Sequence, residues 1–573
     1  MVVLYPTDTS KGAKRKRTPH THVKPTPPPS KLYAWGVRKW LPLMVLGMAQ
    51  FVMVIDGTVM NVSITTVVAD LGTTVSSMQL AIATFTLTMA ALMLAGAGIG
   101  SRIGRRRAFV IGSVIYGLGS LITALADNFG MLFLGWSIIE GIGAALVIPA
   151  IAALAAINYT GRDRAIAYAM LGGVAGAAAA AGPLIGGWVT SEFSWQWVFA
   201  AETLLIVALI LPLASTIKDL PVQPSTSRFD LVGVVLSATS MGTVVLALVS
   251  ASTWGFIEPL NPPFQIAGFS PTIPLVLAGL GIGWAFITWE RHVRDSGREP
   301  LLGIDLFSIS HLRAGLASQT ILYFIIAGSF FVLPLYLQTV LNLDAFESGI
   351  RMLPMSISLF VMALAGSRLG LRFSPLVMIR SGLLTACFGL LLLIGAITPQ
   401  ASGALFAFAM TIIGIGIGLA ISQIGNVNLS STDDSRSNEV GGLQGTAQNL
   451  GSSLGVALAG TVLFLGLATT FTSSVLSNNN IDAATQQGVA DAAASGVQIV
   501  TLTQAQEALT NAGLSESDAA EIVLEYSASK LQSLRAGLGI VFIIGLIGIP
   551  LTRGLPKRPL AAASQQTQDS SIS

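Results

Sequence analysis

The chain has 573 residues, of which 52% are apolar and 10% are Asp, Glu, Lys or Arg, against roughly 25% charged residues in soluble globular proteins. Most of it therefore cannot present a water-facing surface, and it reads as a membrane protein. The net charge of +3 hides an asymmetry: residues 1–39 hold nine Lys or Arg against Asp8 alone, a local balance of +8, so the remainder sums to −5.

The first segment, 1–39, is also rich in Thr and Pro (THVKPTPPPSK). It is too polar to pack, which predicts a disordered basic tail near anionic lipid, with a specific nucleic-acid or partner site as the alternative. It does not read as a cleavable signal peptide, because the apolar run from Trp40 is long enough to span and follows a long polar leader.

From Trp40 to Leu551, apolar runs of about 20 residues recur, the length a helix needs to cross a bilayer core about 30 Å thick. They predict fourteen spans, roughly 40–66, 76–99, 107–126, 131–157, 164–190, 195–217, 229–252, 271–290, 312–341, 348–367, 374–397, 401–424, 440–468 and 535–552. Nothing reads as barrel strands. The 60 glycines suit helices whose backbones approach closely in lipid. The positive-inside rule orders the spans. Arg102, Arg105, Arg106 and Arg107 follow span 2; Arg162 and Arg164 follow span 4; Lys218 and Arg228 follow span 6. Arg291, Arg294 and Arg298 follow span 8, Arg368 and Arg372 span 10, Arg436 span 12, and Arg553, Lys557 and Arg558 span 14. Intervening loops are nearly free of positive charge, Arg351 excepted, so both termini are expected in the cytoplasm.

The loop between spans 13 and 14 (470–530) is the long external segment. TLTQAQEALTNAG and SESDAAEIVLEYSASKLQSL each offer a cap candidate and helical spacing, which predicts a small external helical hairpin.

An ionised side chain near the bilayer centre costs about 2.5 to 3.5 kcal/mol on insertion scales, so acids inside spans are functional candidates. Three qualify: Asp56 in span 1, Glu140 in span 4 and Glu202 in span 6. Their depths, counted at about 1.5 Å per residue, put them in one slab roughly 10 to 15 Å below the outer surface. No Lys, Arg or His is expected in that slab of spans 1 to 6. Such groups can change charge with their surroundings, as proton exchange requires. Each could instead be a structural carboxyl hydrogen-bonded to its neighbours.

Cys387, the single cysteine, lies in an apolar run, and the four His sit in the tail or at span ends (His20, His22, His292, His311). No metal-ligand spacing and no P-loop follow from these, so neither a metal nor another cofactor is expected. An enzyme is disfavoured; a transporter driven by an ion gradient remains, with a sensing or structural membrane protein as a rival.

GSRIGRRRAF at 100–109 is echoed by GSRLGLRF at 366–373. The echo follows spans 2 and 10, so if spans 7 and 8 are an insertion the plan is six plus two plus six. The expected divisions are a 40–217 bundle, an extra pair over 229–290, a 312–552 bundle and a 553–573 cytoplasmic tail. Parallel six-helix repeats are a transporter plan.

Several stretches make the resemblance specific. DGTVMNVSI (56–64), GSRIGRRR, EGIGAALVIPA (140–150), GPLIGGW (182–188), SWQWVF (194–199) and WERHVRDSGREPLL (289–302) occur in order. Together they resemble the fourteen-helix drug:proton antiporter branch of the major facilitator superfamily, over about residues 40–555. The resemblance implies an all-α integral membrane fold and a monomer in the cell membrane. It also implies export of a small lipophilic or cationic compound in exchange for protons; proton-coupled uptake is the alternative. Arg102, Gly104, Arg105 and Arg106, with Arg368 and Gly370 at the echo, would gate alternating access. Gly182, Pro183, Gly186 and Gly187 would form the span-5 antiporter motif, where Pro183 bends the helix; close helix packing is the plainer reading. Tyr323, Phe330 and Gln338 on span 9 and Gln444 and Gln448 on span 13 would line the substrate cavity. The chain departs from the family where Ser101 replaces an Asp, Ser137 an Arg, Glu140 a Gln and Glu202 an Asn. The Ser101 hydroxyl could cap the following turn.

Overall fold

The structure is a computed structural model that describes residues 29–219, 229–260, 262–298, 300–400, 403–432, 436–494 and 497–559. The expected disordered tail up to residue 28, Arg228 and residues 560–573 lie outside the described residues. The chain divides into two compact units, Met1–Leu41 and Pro42–Ser573.

Among the described residues fourteen helices are long and apolar enough to cross a membrane, matching the expected number, and there are no strands. In chain order the helices are α1 (Pro29–Val62), α2 (Ile64–Asp70), α3 (Val75–Ile103), α4 (Arg105–Ala124), α5 (Phe129–Asn158), α6 (Gly161–Glu192) and α7 (Gln196–Thr216). Next come α8 (Leu231–Trp254), α9 (Thr272–Asp295), α10 (Ser310–Thr339), α11 (Ala345–Leu369), α12 (Pro375–Ala396) and α13 (Gly403–Leu429). The chain continues with α14 (Ser437–Ser477), α15 (Ala483–Ala494), α16 (Leu502–Asn511) and α17 (Glu516–Gly548).

The observed helices differ from expectation at identifiable places. Helix α1 starts at Pro29, inside the segment expected to be disordered through residue 39; proline at a first helical position has its φ pre-set and loses no hydrogen bond there. The first span, expected unbroken to residue 66, ends at Val62, and Ser63 separates it from α2. The expected helical hairpin is formed. Its first arm is α16, capped by a Thr501–Gln504 capping box, and its second is the start of α17, which packs on α16, begins at the Ser515 cap and runs unbroken into the last span. No proline stands between Glu516 and Gly548 to break it.

One end of the bundle carries the turns at Leu71, Phe193 and Asp344; the other carries those at Gly104, Tyr159 and Gly370. Helices α3, α4 and α5 pack together, as do α11, α12 and α13 and, separately, α10, α14 and α17. The first six spans meet the last six along two seams, α3 against α14 and α6 against α11. Described hydrogen bonds across them run from the Asp344 end to mid-helix. Gln79 Nε2 donates to Ala457 O (2.9 Å), Ser453 Oγ to Ala83 O (2.7 Å), Thr446 Oγ1 to Ala90 O (3.3 Å) and Phe346 N to Ser191 Oγ (3.2 Å).

Helices α8 and α9 pair through Ser240 Oγ and Gly279 O (2.8 Å), and α8 packs on both α3 and α14. A cluster of Leu94, Phe286, Leu302, Leu306, Leu312 and Val440 ties the pair and its exit segment to the α3–α14 seam.

Candidate functional site, a buried carboxylate trio

Asp56, Glu140 and Glu202 come from three separate spans, yet a carboxylate oxygen of each lies within 4.8 Å of the others. All three are buried, at 0%, 0% and 3% exposure, so the slab expected from residue counting closes into a single point. Among the described residues, no Lys, Arg or His makes an ion pair with them.

Neutral donors surround the trio. Trp136 Nε1 donates to Asp56 Oδ1 (2.8 Å) and Tyr116 OH to Asp56 Oδ2 (3.1 Å), so both oxygens of Asp56 are satisfied. The glutamates are half-satisfied. Thr123 Oγ1 donates to Glu140 Oε1 (3.3 Å) and Ser120 Oγ to Glu202 Oε2 (3.3 Å), whereas the buried Glu140 Oε2 and Glu202 Oε1 accept no hydrogen bond. Such unequal treatment of buried acceptors calls for a chemical explanation.

Local backbone explains how the trio is assembled. Phe133–Glu140 is wound as a π-helix within α5 and ends on Glu140 itself; this wider winding shifts the helical face and is common at functional sites. A second π-turn, Ile206–Ile210, follows Glu202. Helix α4 passes close enough to α5 that a Cβ on Gly119 would stand 2.5 Å from Glu140 Cγ and 2.7 Å from its backbone nitrogen. Glycine therefore makes the room that Glu140 occupies. Trp136 is fixed by stacking on Phe85, ring centroids 4.8 Å apart. Ser137, where the family resemblance implies an arginine, donates to Ala81 O (2.9 Å) and adds no charge.

Tyr116, Ser120, Thr123 and Trp136 were not singled out in the sequence. Three of them share α4 at helical spacing, 116, 120 and 123, which would have marked one polar stripe. Trp136 carries no signal beyond its place one turn before Glu140. The trio is also the one group of acids, among the described residues, spaced as a metal ion would need.

The remaining candidates are dispersed. Gln338, near the end of α10, donates Nε2 to Val62 O (2.7 Å) and accepts from Thr65 Oγ1, joining the two halves at the Asp344 end. Gln444 donates Nε2 to Gly425 O (3.1 Å), and its own carbonyl accepts from Gln319 Nε2 (3.2 Å). Gln319 precedes Gln338 by about 28 Å of helix, so Gln338 and Gln444 belong to opposite ends. Phe330 is buried, and Tyr323 and Gln448 are half-buried.

The two echoing turns have different backbones. Gly104 adopts φ 101°, a conformation that favours glycine, whereas Gly370 is right-handed at φ −61° and closes against Gln423. Arg102 lies over the Phe229 ring, 5.4 Å from its centroid. Arg106 N donates to Asp219 Oδ2 (2.9 Å), and Arg105 lines a small recess with Gly96, Pro149 and Ala153. Arg368 is exposed. The Ser101 hydroxyl, expected to be able to cap the following turn, instead donates backwards to Gly98 O (2.8 Å), because Gly104 breaks the backbone before the next helix begins. In α6 the glycines admit neighbours: a Cβ on Gly182 would collide with Thr58, one on Gly186 with Val59, and one on Gly187 with the Ala345 carbonyl. Pro183 sits inside α6, which continues past it to Glu192.

A family model described as Major Facilitator Superfamily matches residues 46–456. The chain belongs to the Major Facilitator Superfamily. As a member it is a transporter rather than an enzyme, and a multi-pass protein of the cell membrane. It is 32% identical over 435 residues to the puromycin resistance protein of Streptomyces alboniger, covering 74% of this chain and 82% of that one. It is 29% identical over 459 residues to a probable actinorhodin transporter of Streptomyces coelicolor, covering 78% of this chain and 75% of the relative. These relatives match the drug-exporting branch that the motifs resemble. The fold is shared with a bacterial homologue of the human lysosomal transporter Spinster, at TM-score 0.58, 16% identity and coverage of 90% of this chain and 98% of that one.

Proposed function

We propose that this facilitator-superfamily protein exports lipophilic or amphipathic small molecules, such as a drug, an antibiotic or a metabolite, in exchange for protons by alternating access. The carrying observation is the trio: three enclosed carboxylates with oxygens within 4.8 Å and no basic partner among the described residues, in a low-dielectric setting where like charges cannot all stay ionised. Relatives named for antibiotic transport and resistance support export as the direction.

In this reading the chain is a six-span bundle (40–217), an extra pair (229–290) and a second six-span bundle (312–552), with both termini cytoplasmic. The Asp344 end is then external. The Gln338 ties to Val62 and Thr65 and the Gly187 contact with Ala345 close it, which corresponds to the inward-facing state. Arg102, Gly104, Arg105 and Arg106, with Arg368 and Gly370 on the second half, serve the cytoplasmic gate. Tyr323, Phe330, Gln444 and Gln448 supply apolar and amide surface to the substrate path, and Gln338 closes its outer end.

The test is ethidium transport in proteoliposomes with the membrane potential clamped, with and without an imposed pH gradient, comparing wild type with Glu140→Gln. Gradient-driven transport that disappears in the variant supports proton exchange through the trio. Equal transport with and without the gradient in the wild type would overturn it.

A further inference from the structure

The two kinds of carboxylate in the trio differ in what their oxygens receive. Both Asp56 oxygens accept an N–H or O–H from a fully buried donor, Trp136 and Tyr116. Donors on both oxygens favour the charged form of a carboxyl, because each bond is stronger to the anion than to the acid. Glu140 and Glu202 each accept one hydroxyl and leave one oxygen without a donor, Oε2 and Oε1 respectively. A carboxylic acid carries its proton on an oxygen of that kind and uses it as a donor.

From this asymmetry we infer that Asp56 is the standing anion of the closed site, and that Glu140 and Glu202 each carry one exchangeable proton. The inference rests on the proton-exchange reading above and specifies it: the site holds two protons and a single negative charge. The titratable groups facing one another are these three carboxyls and the Tyr116 phenol from α4; Trp136, Ser120 and Thr123 supply neutral donors. Two protons are also what proximity demands. Three charges within 4.8 Å without a counter-ion are self-repelling, and each added proton removes one unit of charge. Because the trio titrates as a unit, the assignment comes from the donors and not from any single group's affinity. Both protons leave from the glutamates when the site opens to water or to a cationic compound, and both return before it closes.

The experiment is infrared difference spectroscopy of the purified full-length protein in detergent, counting buried carboxylic-acid carbonyl bands and normalising to the amide band. All measurements use a Glu290→Gln background, since Glu290 is the other fully buried carboxyl among the described residues. The expected result is two acid bands, one lost in Glu140→Gln, another in Glu202→Gln, and neither in Asp56→Asn, which loses a carboxylate band instead. Trp136→Phe keeps both acid bands and shifts the Asp56 carboxylate band, so the anion assignment is tested even if Asp56→Asn does not fold. An acid band that vanishes in Asp56→Asn, or a wild type with none, overturns the inference. So does loss of both bands on adding Mn²⁺, which would make the trio a cation site. Because the readout needs no transport, two acid bands in a protein that moves no dye would sink the export reading alone.

Discussion

Nε1 of Trp136 donates to Oδ1 of Asp56 across 2.8 Å, joining α5 to α1 through the interior of the bundle. Trp136→Phe would keep the stack on Phe85 and delete only this donor. Hydrogen bonds to charged groups contribute about 1.5 to 3 kcal/mol, so gradient-driven dye transport should fall roughly tenfold to a hundredfold, with little change in the amount of folded protein. Unaltered transport rates would show that Tyr116 suffices to hold Asp56.

Gly119 is the second lever on the same site. A Cβ there would lie 2.5 Å from Glu140 Cγ and 2.7 Å from Glu140 N, contacts that only a helix displacement can relieve. Gly119→Ala should destabilise the detergent-solubilised protein by about 1 to 3 kcal/mol, read as an earlier thermal unfolding transition, and Gly119→Val by more.

Closure of the Asp344 end is held by Gln338, which bonds both Val62 O and Thr65. Cysteines placed at Thr65 and Gln338, in a chain whose Cys387 is replaced by alanine, should form a disulfide on oxidation. Transport by the oxidised protein should stop and return on reduction. Full activity with the crosslink in place would show that the two helices never part.

Lys530 is buried at 1% exposure, with Nζ donating to Thr339 O and Val500 O at 2.9 Å each and lying 5.0 Å from the Tyr526 ring centroid. From within α17 it fastens the segment after α15 to the end of α10. Lys530→Met leaves the buried Thr339 carbonyl without this donor, at about 1 to 3 kcal/mol, while Val500 O keeps the Tyr526 hydroxyl (3.2 Å). Faster hydrogen exchange over residues 497–512, with unchanged exchange in α3 and α5, is the expected outcome.

At the opposite end, Arg436 pairs with Asp305 and with Glu439 (3.0 Å to Oε2). The guanidinium holds the Asp305 carboxyl below its usual 3.8. A depressed carboxyl stabilises the fold above its unfolded value and loses that contribution as pH falls through the folded one, so the pairing acts at neutral pH and fades below about 3.8. Asp305 is half exposed, and solvent limits the effect to about 1 kcal/mol or less. Asp305→Asn should therefore lower the melting temperature slightly at pH 7 and have no effect under strongly acidic conditions.

Much of this was legible in residue order because lipid imposes a strong rule: a run of about 20 apolar residues has few fates other than a span. Asp56, Glu140 and Glu202 stood out as charges inside such runs, and counting residues placed them at one depth. Their convergence on a point was not legible, since depth says nothing of the direction in which a side chain faces, and the π-winding that ends on Glu140 leaves no compositional trace. Trp136 and Tyr116 look like ordinary apolar filling until a carboxylate is seen against them. Gln338 was expected to line a cavity and instead joins two helix ends, because an amide in a span fits a substrate wall and an interhelical bond equally well. The echo of Gly104 in Gly370 is a likeness of letters whose backbones differ, one left-handed and one right-handed.

The α8–α9 pair lies over only one of the two seams. By packing on both α3 and α14 it stands between that seam and the surrounding lipid, while the α6–α11 seam keeps exposed apolar residues such as Met170, Ile185, Ile357 and Val361 on its flanks. A compound dissolved in the bilayer thus meets the α8–α9 pair before it can reach the α3–α14 seam, and meets α6 and α11 directly at the other.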